Sequence, residues 1–413
     1  MGITDIFVDY LYGLSISTIR EEAIEQARLC LLDYKGVTSA GAKILEKRGR
    51  DFLSKVFKQG GGVSVIGFQQ KTTLHNAAFL NAMSAHIAEL DDGHRAGQIH
   101  LGASIISALL PVSEVENLSE IALLRGIVVG YEAAIRLAMA VNPCHKLRGF
   151  HTSGTCGTIG VAVAVATALQ FSRKQMKVAV SAATASASGL LEMQEDESEL
   201  KPYNLANAAV GGITAAYCAL AGFKGPDDAL GGKRGFLSVL TENPRIQYLS
   251  EFSEDYLQIE TVYRKMYAAC RHAHSAIEAA ITLRNRFGID PASISSICIE
   301  TYGMAIKGHD HKDIKGIQSA KMSIPFSVAL ALKTGRAGLG DYNKRNLADD
   351  EIRRLMGLIR IVEDSEISSW LPGKRAARVT IVSAGKSFTT CIEYPKGEPE
   401  NPIAATEIIE KNR

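Results

Sequence analysis

The feature that most constrains the fold is a helical stretch at 154–166 with almost no side-chain bulk on any face. Small residues recur through it, at Gly154, Gly157, Gly160, Ala162, Ala164 and Ala166. A helix of this kind suits the middle of a bundle, where neighbouring backbones can approach closely. The stretch therefore predicts a helical domain built around a buried central helix.

The segment GTCGTIG within this stretch could also be interpreted as a glycine-rich nucleotide loop. Such a loop follows a β-strand and carries a Lys-Ser or Lys-Thr pair, and this segment has neither. Helix packing is the favoured interpretation, with a local contribution to ligand binding as the alternative.

Helical periodicity dominates the chain from about residue 3 to 225. Thr18 and Glu21 form a possible capping box that would start a helix, and Gly36 would end it. Further helices are expected at 74–90, 101–116, 118–141, 155–170, 174–188 and 204–221.

The composition changes after Pro226, where a loop dense in Gly, Asp and Lys begins. Residues 297–302 alternate as in a strand, and two runs that flank a Ser-Ala-Gly-Lys turn indicate a hairpin. Helices are expected near 272–287, 318–333 and 349–359. The predicted fold class is mainly α with α+β, with a large helical domain at 1–260, a smaller α+β domain at 261–395, and a helical return at 396–413.

Charge and cysteine usage exclude several classes of protein. Lys and Arg number 46 against 44 Asp and Glu, without a long basic run, so nucleic acid is not an expected partner. The seven cysteines form no C-x-x-C pair, which indicates a reducing compartment. The N-terminus lacks a signal-peptide pattern, and the apolar runs are shorter than a membrane span. A cytoplasmic protein without membrane contact is expected.

Residues 85–103 are the strongest candidate for a site, because charged and titratable groups there interrupt an apolar helical run. They are Asp91, Asp92, His94, Arg95 and His100. The plainest alternative is a solvated turn with a helix cap. Metal binding by Asp91, Asp92, His94 and His100 fits ligand chemistry, but the spacing matches no recognised motif, and no metal is expected.

Three other places put polar residues at or near the start of a helix, where anionic groups are favoured. They are Arg148 to His151, Lys201 to Asn204, and Lys265 with Cys270, Arg271, His272 and His274. Cationic side chains near acid/base groups suit a substrate with several carboxylates, and no cofactor is required. His86 is interpreted as a core histidine, and His309 to His311 as solvated surface.

Six blocks, taken together, resemble the MmgE/PrpD family. They span about residues 75–335 and include HIAELDDGHRAGQIHLGASIISALLPVSE, RGFHTSGTCGTIGVAVAVATAL, LKPYNLANAAVGGITAA, FKGPDDALGGKRGFLSVL, YRKMYAACRHAHSAIEAAI and SAKMSIPFSVALAL. The family includes 2-methylcitrate dehydratase, cis-aconitate decarboxylase and iminodisuccinate epimerase, which act without a metal on di- or tricarboxylates.

The resemblance implies a helical domain with an α+β lid, an active site between them, and a homodimer. Carried over by position, it implies five catalytic residues: Asp91, His100, His151, Lys201 and Lys265. We add Arg95, Arg148, Cys270, His272, His274 and Tyr302 as candidates for substrate binding.

The sequence departs from the family pattern at several positions. Leu101 replaces the Pro of a His-Pro-Gly motif, and Asn204 and Ala206 stand where many members have His and Gly. Cys270 falls where cis-aconitate decarboxylases have a histidine, which disfavours decarboxylation. The C-terminal GEPENPIAATEIIEKNR resembles the start of a longer helical return, so a smaller helical domain or a short variant is expected.

The sequence therefore predicts a hydro-lyase similar to 2-methylcitrate dehydratase. Asp91 or His100 would remove the proton α to a carboxylate, and His151 would protonate the leaving hydroxyl. Lys201, Lys265 and Arg95 would hold carboxylates. Decarboxylation, epimerisation and a catalytically silent binding homologue are the alternatives.

Overall fold

The computed structural model of the chain describes residues 2–56, 60–195, 197–253 and 255–412. It divides into two compact units. The first comprises Met1–Gln194, Leu200–Tyr263 and Ile408–Arg413, and the second comprises Glu195–Glu199 and Arg264–Glu407. The first unit is almost entirely helical and the second carries a four-stranded sheet, which confirms the expected fold class.

The first unit is formed mainly by long helices. They run over Ile3–Ile16, Glu21–Ile44, Glu46–Val56, Leu74–Ile87, Gly102–Glu116, Glu120–Val141, Thr152–Ala168, Arg173–Ser186 and Lys201–Leu220. Shorter helical turns cover Cys144–Leu147, Leu191–Gln194, Phe236–Leu240, Gln247–Ser250 and Gln258–Thr261. Strand β1 (Gly93–His94) pairs antiparallel with β2 (Val262–Tyr263).

The helix Thr152–Ala168, called the small-residue helix below, is buried along its whole length. It packs against Glu120–Val141 and Lys201–Leu220. A Cβ at Gly160 would lie 2.6 Å from the Cβ of Ala134 and 2.9 Å from the carbonyl oxygen of Gly130. The missing side chains therefore allow the two backbones to approach, as the sequence predicts.

The helix expected from Thr18 to Gly36 has different ends. It begins at Glu21, and its N-cap residue, Arg20, makes no side-chain cap hydrogen bond within the described residues. It continues through Gly36 to Ile44. A Cβ at Gly36 would lie 2.4 Å from Nδ2 of Asn412. Glycine therefore allows Asn412 to pack closely against the helix at this position, and it does not end the helix.

The second unit contains β3 (Ile294–Thr301), β4 (Ile359–Glu363), β5 (Ala377–Ser383) and β6 (Lys386–Ile392), in the order β4-β3-β5-β6. β3 is parallel to β4 and antiparallel to β5, and β5 and β6 form the predicted hairpin. β4 was not predicted, because its short run continues directly from a helix and offers little alternation of its own.

The helices of the second unit include His274–Phe287, which packs against β5 and β6. Every second residue of β5 is buried, as expected for a strand covered on one face. The other helices and helical turns are Arg271–Ala273, Pro291–Ser293, Gly303–Ile306, Ile317–Met322, Ile324–Thr334, Leu339–Asp341, Lys344–Leu347, Asp350–Leu358 and Ser365–Ser369. The helix Ala405–Lys411 leads from the residues of the second unit to those of the first.

Within the part of the chain that the structure describes, no helix combines the length and the apolar character needed to cross a membrane.

We expect Gly160→Ala to lower the free energy of unfolding by about 1–3 kcal/mol, because its methyl group overlaps Ala134 and the Gly130 backbone. Gly13→Ala is the matched control, since the exposed Gly13 has no described atom within 4 Å of its Cβ position. That change should be neutral or stabilising by about 0.5–1 kcal/mol. Urea unfolding measures both; equal effects would contradict the close packing.

Candidate active site

The stretch 85–103 comprises the end of the helix Leu74–Ile87, the start of the helix Gly102–Glu116 and a turn at 88–101 between them. Asp92 anchors it: the backbone N–H of Gly102 donates to Asp92 Oδ1 at 2.9 Å, and the Tyr131 hydroxyl donates to Oδ2 at 2.6 Å. Burial raises the pKa of Asp92, and the hydrogen bonds from Tyr131 and Gly102 oppose that rise. Asp92 therefore holds the start of the second helix.

His94 also has a structural position in this turn. Its Nδ1 accepts the backbone N–H of Gly97 at 3.0 Å, so Nε2 carries the proton and donates to the Thr261 hydroxyl at 3.0 Å. Arg95 is half-buried beside it. These contacts account for His94 as a residue that shapes the turn; substrate binding by Arg95 stays a prediction.

Asp91 lies between two imidazoles. Its Oδ2 is 2.7 Å from Nδ1 of His86 and 3.3 Å from Nδ1 of His100. The Asp91 side chain is 5% exposed, and His86 is fully buried, as expected for a core histidine. A buried carboxylate is costly unless donors surround it, and here both rings can donate.

The tautomer of His100 follows from these contacts. Its Nδ1 lies 2.8 Å from the backbone carbonyl oxygen of Asp92 as well as near the Asp91 carboxylate, and both partners only accept. Nδ1 therefore carries the proton, and Nε2 is the basic nitrogen. The ring is fixed further by its backbone N–H, which donates to the Ser153 hydroxyl at 2.9 Å. The arrangement is that of a general base oriented by a carboxylate.

His151 caps the N-terminal end of the small-residue helix and is 5% exposed. Its backbone N–H donates to the Gly189 carbonyl at 3.0 Å. Its Nδ1 has no hydrogen-bond partner among the residues that the structure describes. Burial lowers its pKa well below 6.5, and the nearby His86, Lys201 and His100 lower it further. His151 is therefore neutral at neutral pH and presents a buried polar atom suited to a ligand.

Lys201 begins the helix Lys201–Leu220, and its Nζ forms an ion pair with Glu89. Both side chains are nearly buried, at 11% and 6% exposed. Glu89 adopts φ 54°, in the left-handed region, and its Oε1 lies 3.9 Å from Nε2 of His86. Glu89 is not among the residues predicted from the sequence, where its place two residues before Asp91 is the only signal for it.

The first unit therefore brings four of the five predicted catalytic residues into one group, with two further residues that link them. We call this group the polar cluster; it consists of His86, Glu89, Asp91, His100, His151 and Lys201.

His86, Asp91 and His100 each offer an atom within 4.8 Å of the other two, a spacing compatible with a metal. However, two ligand atoms on one tetrahedral ion lie about 3.3 Å apart. The 2.7 Å between His86 Nδ1 and Asp91 Oδ2 is a direct hydrogen bond. The contacts thus fit acid/base chemistry better than metal ligation.

The remaining candidates have other surroundings. Arg148 is exposed and donates to the Val239 carbonyl at 3.1 Å, a contact outside the polar cluster. Lys265 is fully buried in the second unit. His274 uses both ring nitrogens, with Arg271 at 2.7 Å and the Ala269 carbonyl at 3.2 Å, as a structural histidine would.

Cys270, His272 and Tyr302 come together in the second unit. His272 Nδ1 lies 2.7 Å from the Tyr302 hydroxyl, and Cys270 Sγ lies 3.8 Å from Nε2 of His309. His309 is only 9% exposed, so its interpretation as solvated surface was wrong. Its loop folds back so that Ile324 N–H bonds to the His309 carbonyl, a long-range contact that the charged sequence around it does not reveal.

Comparison with models of protein families places this two-unit chain in the MmgE/PrpD family. The model of the MmgE/PrpD N-terminal domain matches residues 5–249, and that of the MmgE/PrpD C-terminal domain matches residues 267–413. The chain belongs to this family, which confirms the resemblance seen in its sequence.

Its relatives include cis-aconitate decarboxylases. The chain is 24% identical over 441 residues to that of Aspergillus terreus, covering 100% of this chain and 89% of the relative. It is 22% identical over 424 residues to that of Homo sapiens, covering 100% and 87%. The match to that of Mus musculus is 25% over 246 residues and covers 57% and 49%.

We expect His151 to make the protein sensitive to acid. Its pKa is lowered in the folded state, so below pH 6.5 the unfolded chain binds a proton that the folded chain does not. Protonation then favours unfolding, by about 1.4 kcal/mol per pH unit. The free energy of unfolding of His151→Gln should fall less than that of wild type between about pH 7.5 and 5.5.

His75→Gln is the graded control for this measurement. His75 is half-buried, and burial lowers its pKa too, but not as far. Its substitution should therefore remove less of the acid sensitivity than His151→Gln. Identical pH dependence in wild type and His151→Gln would contradict a neutral, buried His151.

Proposed function

We propose that this protein is a lyase that acts on a di- or tricarboxylate by proton transfer and does not require a metal for that step. The observation that carries the proposal is the Asp91 carboxylate held between His86 and His100 in a buried setting. The membership of the MmgE/PrpD family and the names of the relatives support the same class.

His100 is the proposed general base. Its Nε2 would accept the proton from the carbon α to a substrate carboxylate, while Asp91 stabilises the imidazolium that forms. At 17% exposed, the His100 side chain is more accessible than the Asp91 side chain at 5%. Of the two bases expected from the sequence, we therefore assign proton abstraction to His100, with Asp91 acting through it.

Lys201 is the proposed anion-binding group. An ammonium has three donors, so the ion pair with Glu89 leaves capacity for a substrate carboxylate. A carboxylate placed there would also partly cancel the positive charges that lower the pKa of His151. His151 would then be able to take up a proton and deliver it to a leaving hydroxyl.

In a dehydration similar to that of 2-methylcitrate dehydratase, the C–H electrons form the double bond as the β C–O bond breaks. The proton goes to His100, and the hydroxyl leaves as water with the proton from His151. Negative charge that develops on the substrate carboxylate is stabilised by Lys201. The predicted roles of Lys265, Arg95 and the other candidates for substrate binding stay predictions.

Decarboxylation of cis-aconitate is the second candidate, favoured by the names of the relatives. Here a C–C bond breaks, carbon dioxide leaves, and the same acid/base groups protonate the resulting carbanion. Carbon dioxide release distinguishes this reaction from dehydration. Exchange of the α-hydrogen with solvent deuterium, without elimination, would instead identify an epimerase.

The proposal is tested with purified protein and 2-methylcitrate, citrate or cis-aconitate, following unsaturated-acid absorbance and carbon dioxide. We expect turnover of at least one compound and a loss of kcat of about 10²–10⁴-fold in His100→Gln, because the base is removed. His75→Gln is the control, since His75 contacts Thr214 and lies outside the polar cluster.

Turnover that survives unchanged in His100→Gln would contradict the assigned base. Failure of a correctly folded wild type to turn over any of the three acids in either direction would contradict the lyase. It would leave the silent binding homologue as the better description.

A further inference from the structure

Three side chains with metal-binding chemistry meet inside the second unit: Cys270, His272 and His309. Each offers one ligand atom, and these atoms all lie within 4.8 Å of one another. No sequence motif indicates the cluster, because Cys270 and His272 form only a C-x-H pair and His309 lies 37 residues further along. Folding brings the third ligand to the first two.

The separation between Cys270 Sγ and His309 Nε2 is 3.8 Å. A tetrahedral zinc ion with Zn–S of about 2.3 Å and Zn–N of about 2.0–2.1 Å separates sulfur and nitrogen by about 3.6 Å. The observed separation therefore suits two ligands of one ion. In the polar cluster, by contrast, His86 and Asp91 are too close to share an ion in this way.

The tautomer of His309 also fits a ligand. Its Nδ1 lies 3.1 Å from the carbonyl oxygen of Met322, which can only accept. Nδ1 therefore carries the proton, and the lone pair of Nε2 lies on the side of Cys270. Metal-bound histidines commonly hold their second nitrogen in this way, because the hydrogen bond fixes the ring and its tautomer.

His272 also has a hydrogen-bond partner for its second ring nitrogen, and we call such a group an outer partner of the site. Its Nδ1 is 2.7 Å from the hydroxyl of Tyr302, which is 1% exposed. The phenol hydroxyl can orient the imidazole through this hydrogen bond, as an outer partner of a metal-bound histidine does. The rings of His272 and His309 lie with their centroids 5.2 Å apart, and one ring nitrogen of each lies within 4.8 Å of the other.

The backbone holds the cluster from one short helix, Ile317–Met322. The N–H of Cys270 donates to the Lys321 carbonyl at 2.9 Å, and His309 is bound to the next carbonyl, that of Met322. Two of the three ligands are therefore positioned by adjacent carbonyls of the same element. Pre-organisation of this kind favours binding, because less ordering is required when the ion arrives.

From these contacts we propose that Cys270, His272 and His309 form a binding site for a zinc ion. One thiolate and two neutral imidazoles would reduce the net charge of the site to about +1 and leave an open coordination position. The donor set combines soft sulfur with imidazole, which suits zinc better than magnesium or calcium. The site goes beyond the proposed lyase, whose proton transfer uses only the polar cluster.

The test uses the full chain, stripped of metal and kept free of carboxylate buffers, which would chelate zinc. After zinc is added and the excess is removed by dialysis, we expect about one zinc ion bound per chain. Cobalt in its place should give a thiolate-to-cobalt charge-transfer band. Cys270→Ser and His309→Gln should lose the band and the bound zinc. Tyr302→Phe should weaken zinc binding about 10–100-fold, as loss of an outer partner does.

Cys298→Ser and Cys391→Ser are the matched controls, because these cysteines belong to β3 and β6 of the same unit. Both variants should bind zinc and show the cobalt band as wild type does. Thermal unfolding of each metal-free variant separates loss of the site from loss of the fold. Equal zinc uptake by folded wild type and folded Cys270→Ser, or a cobalt spectrum without the thiolate band, would overturn the proposal.

The proposal of a zinc site and the proposal of a lyase can be contradicted independently of each other. Zinc uptake that is lost in Cys270→Ser supports the site whether or not a polycarboxylate is turned over. Conversely, turnover by a protein that takes up no zinc supports the lyase and overturns the site. Should Cys270→Ser change only KM for a polycarboxylate, with no zinc bound by wild type, the side chain would bind substrate as the sequence predicts.

Discussion

The contacts of His86 and His100 with the Asp91 carboxylate are the interaction on which the arrangement of the site depends. A carboxylate this deeply buried is tolerated only when donors surround it. Those donors come from the end of one helix and the turn after it, which Asp92 and Tyr131 hold in place. The contact with Asp91 also favours the His100 tautomer that carries its proton on Nδ1, which leaves Nε2 as the basic nitrogen.

The small-residue helix makes this arrangement possible. The helix and its neighbour Glu120–Val141 approach closely at Gly130 and Gly160. His151 lies at the N-terminal end of that helix, and Lys201 begins a helix packed against it. The helical bundle that packs the small residues together thus also positions His151 and Lys201.

The sequence predicted those parts of the fold that local patterns determine. The small residues of Thr152–Ala168 indicated a central helix, and alternation indicated the hairpin of β5 and β6. The capping box predicted at Thr18 is not formed, and strand β4 was not predicted, because both depend on contacts that local propensity does not contain. Gly36 shows the same limit, since its neighbour Asn412 is distant in sequence.

The candidate site could be predicted from the sequence to a similar extent as the fold. Asp91 and His100 stand out because polar residues rarely separate two buried segments without a use. Glu89 and His309 were missed because their roles depend on partners far along the chain, Lys201 and Cys270. A residue's type and neighbours in sequence cannot show whether folding will bury it against such a partner.

A crystal structure of the protein with a bound tricarboxylate such as citrate tests the central claim most directly. We expect a carboxylate oxygen within hydrogen-bond distance of Lys201 Nζ, a second polar atom of the ligand at Nδ1 of His151, and a carbon that bears hydrogen facing Nε2 of His100. A tricarboxylate bound away from the polar cluster, with His100 and His151 making no contact to it, would contradict the account.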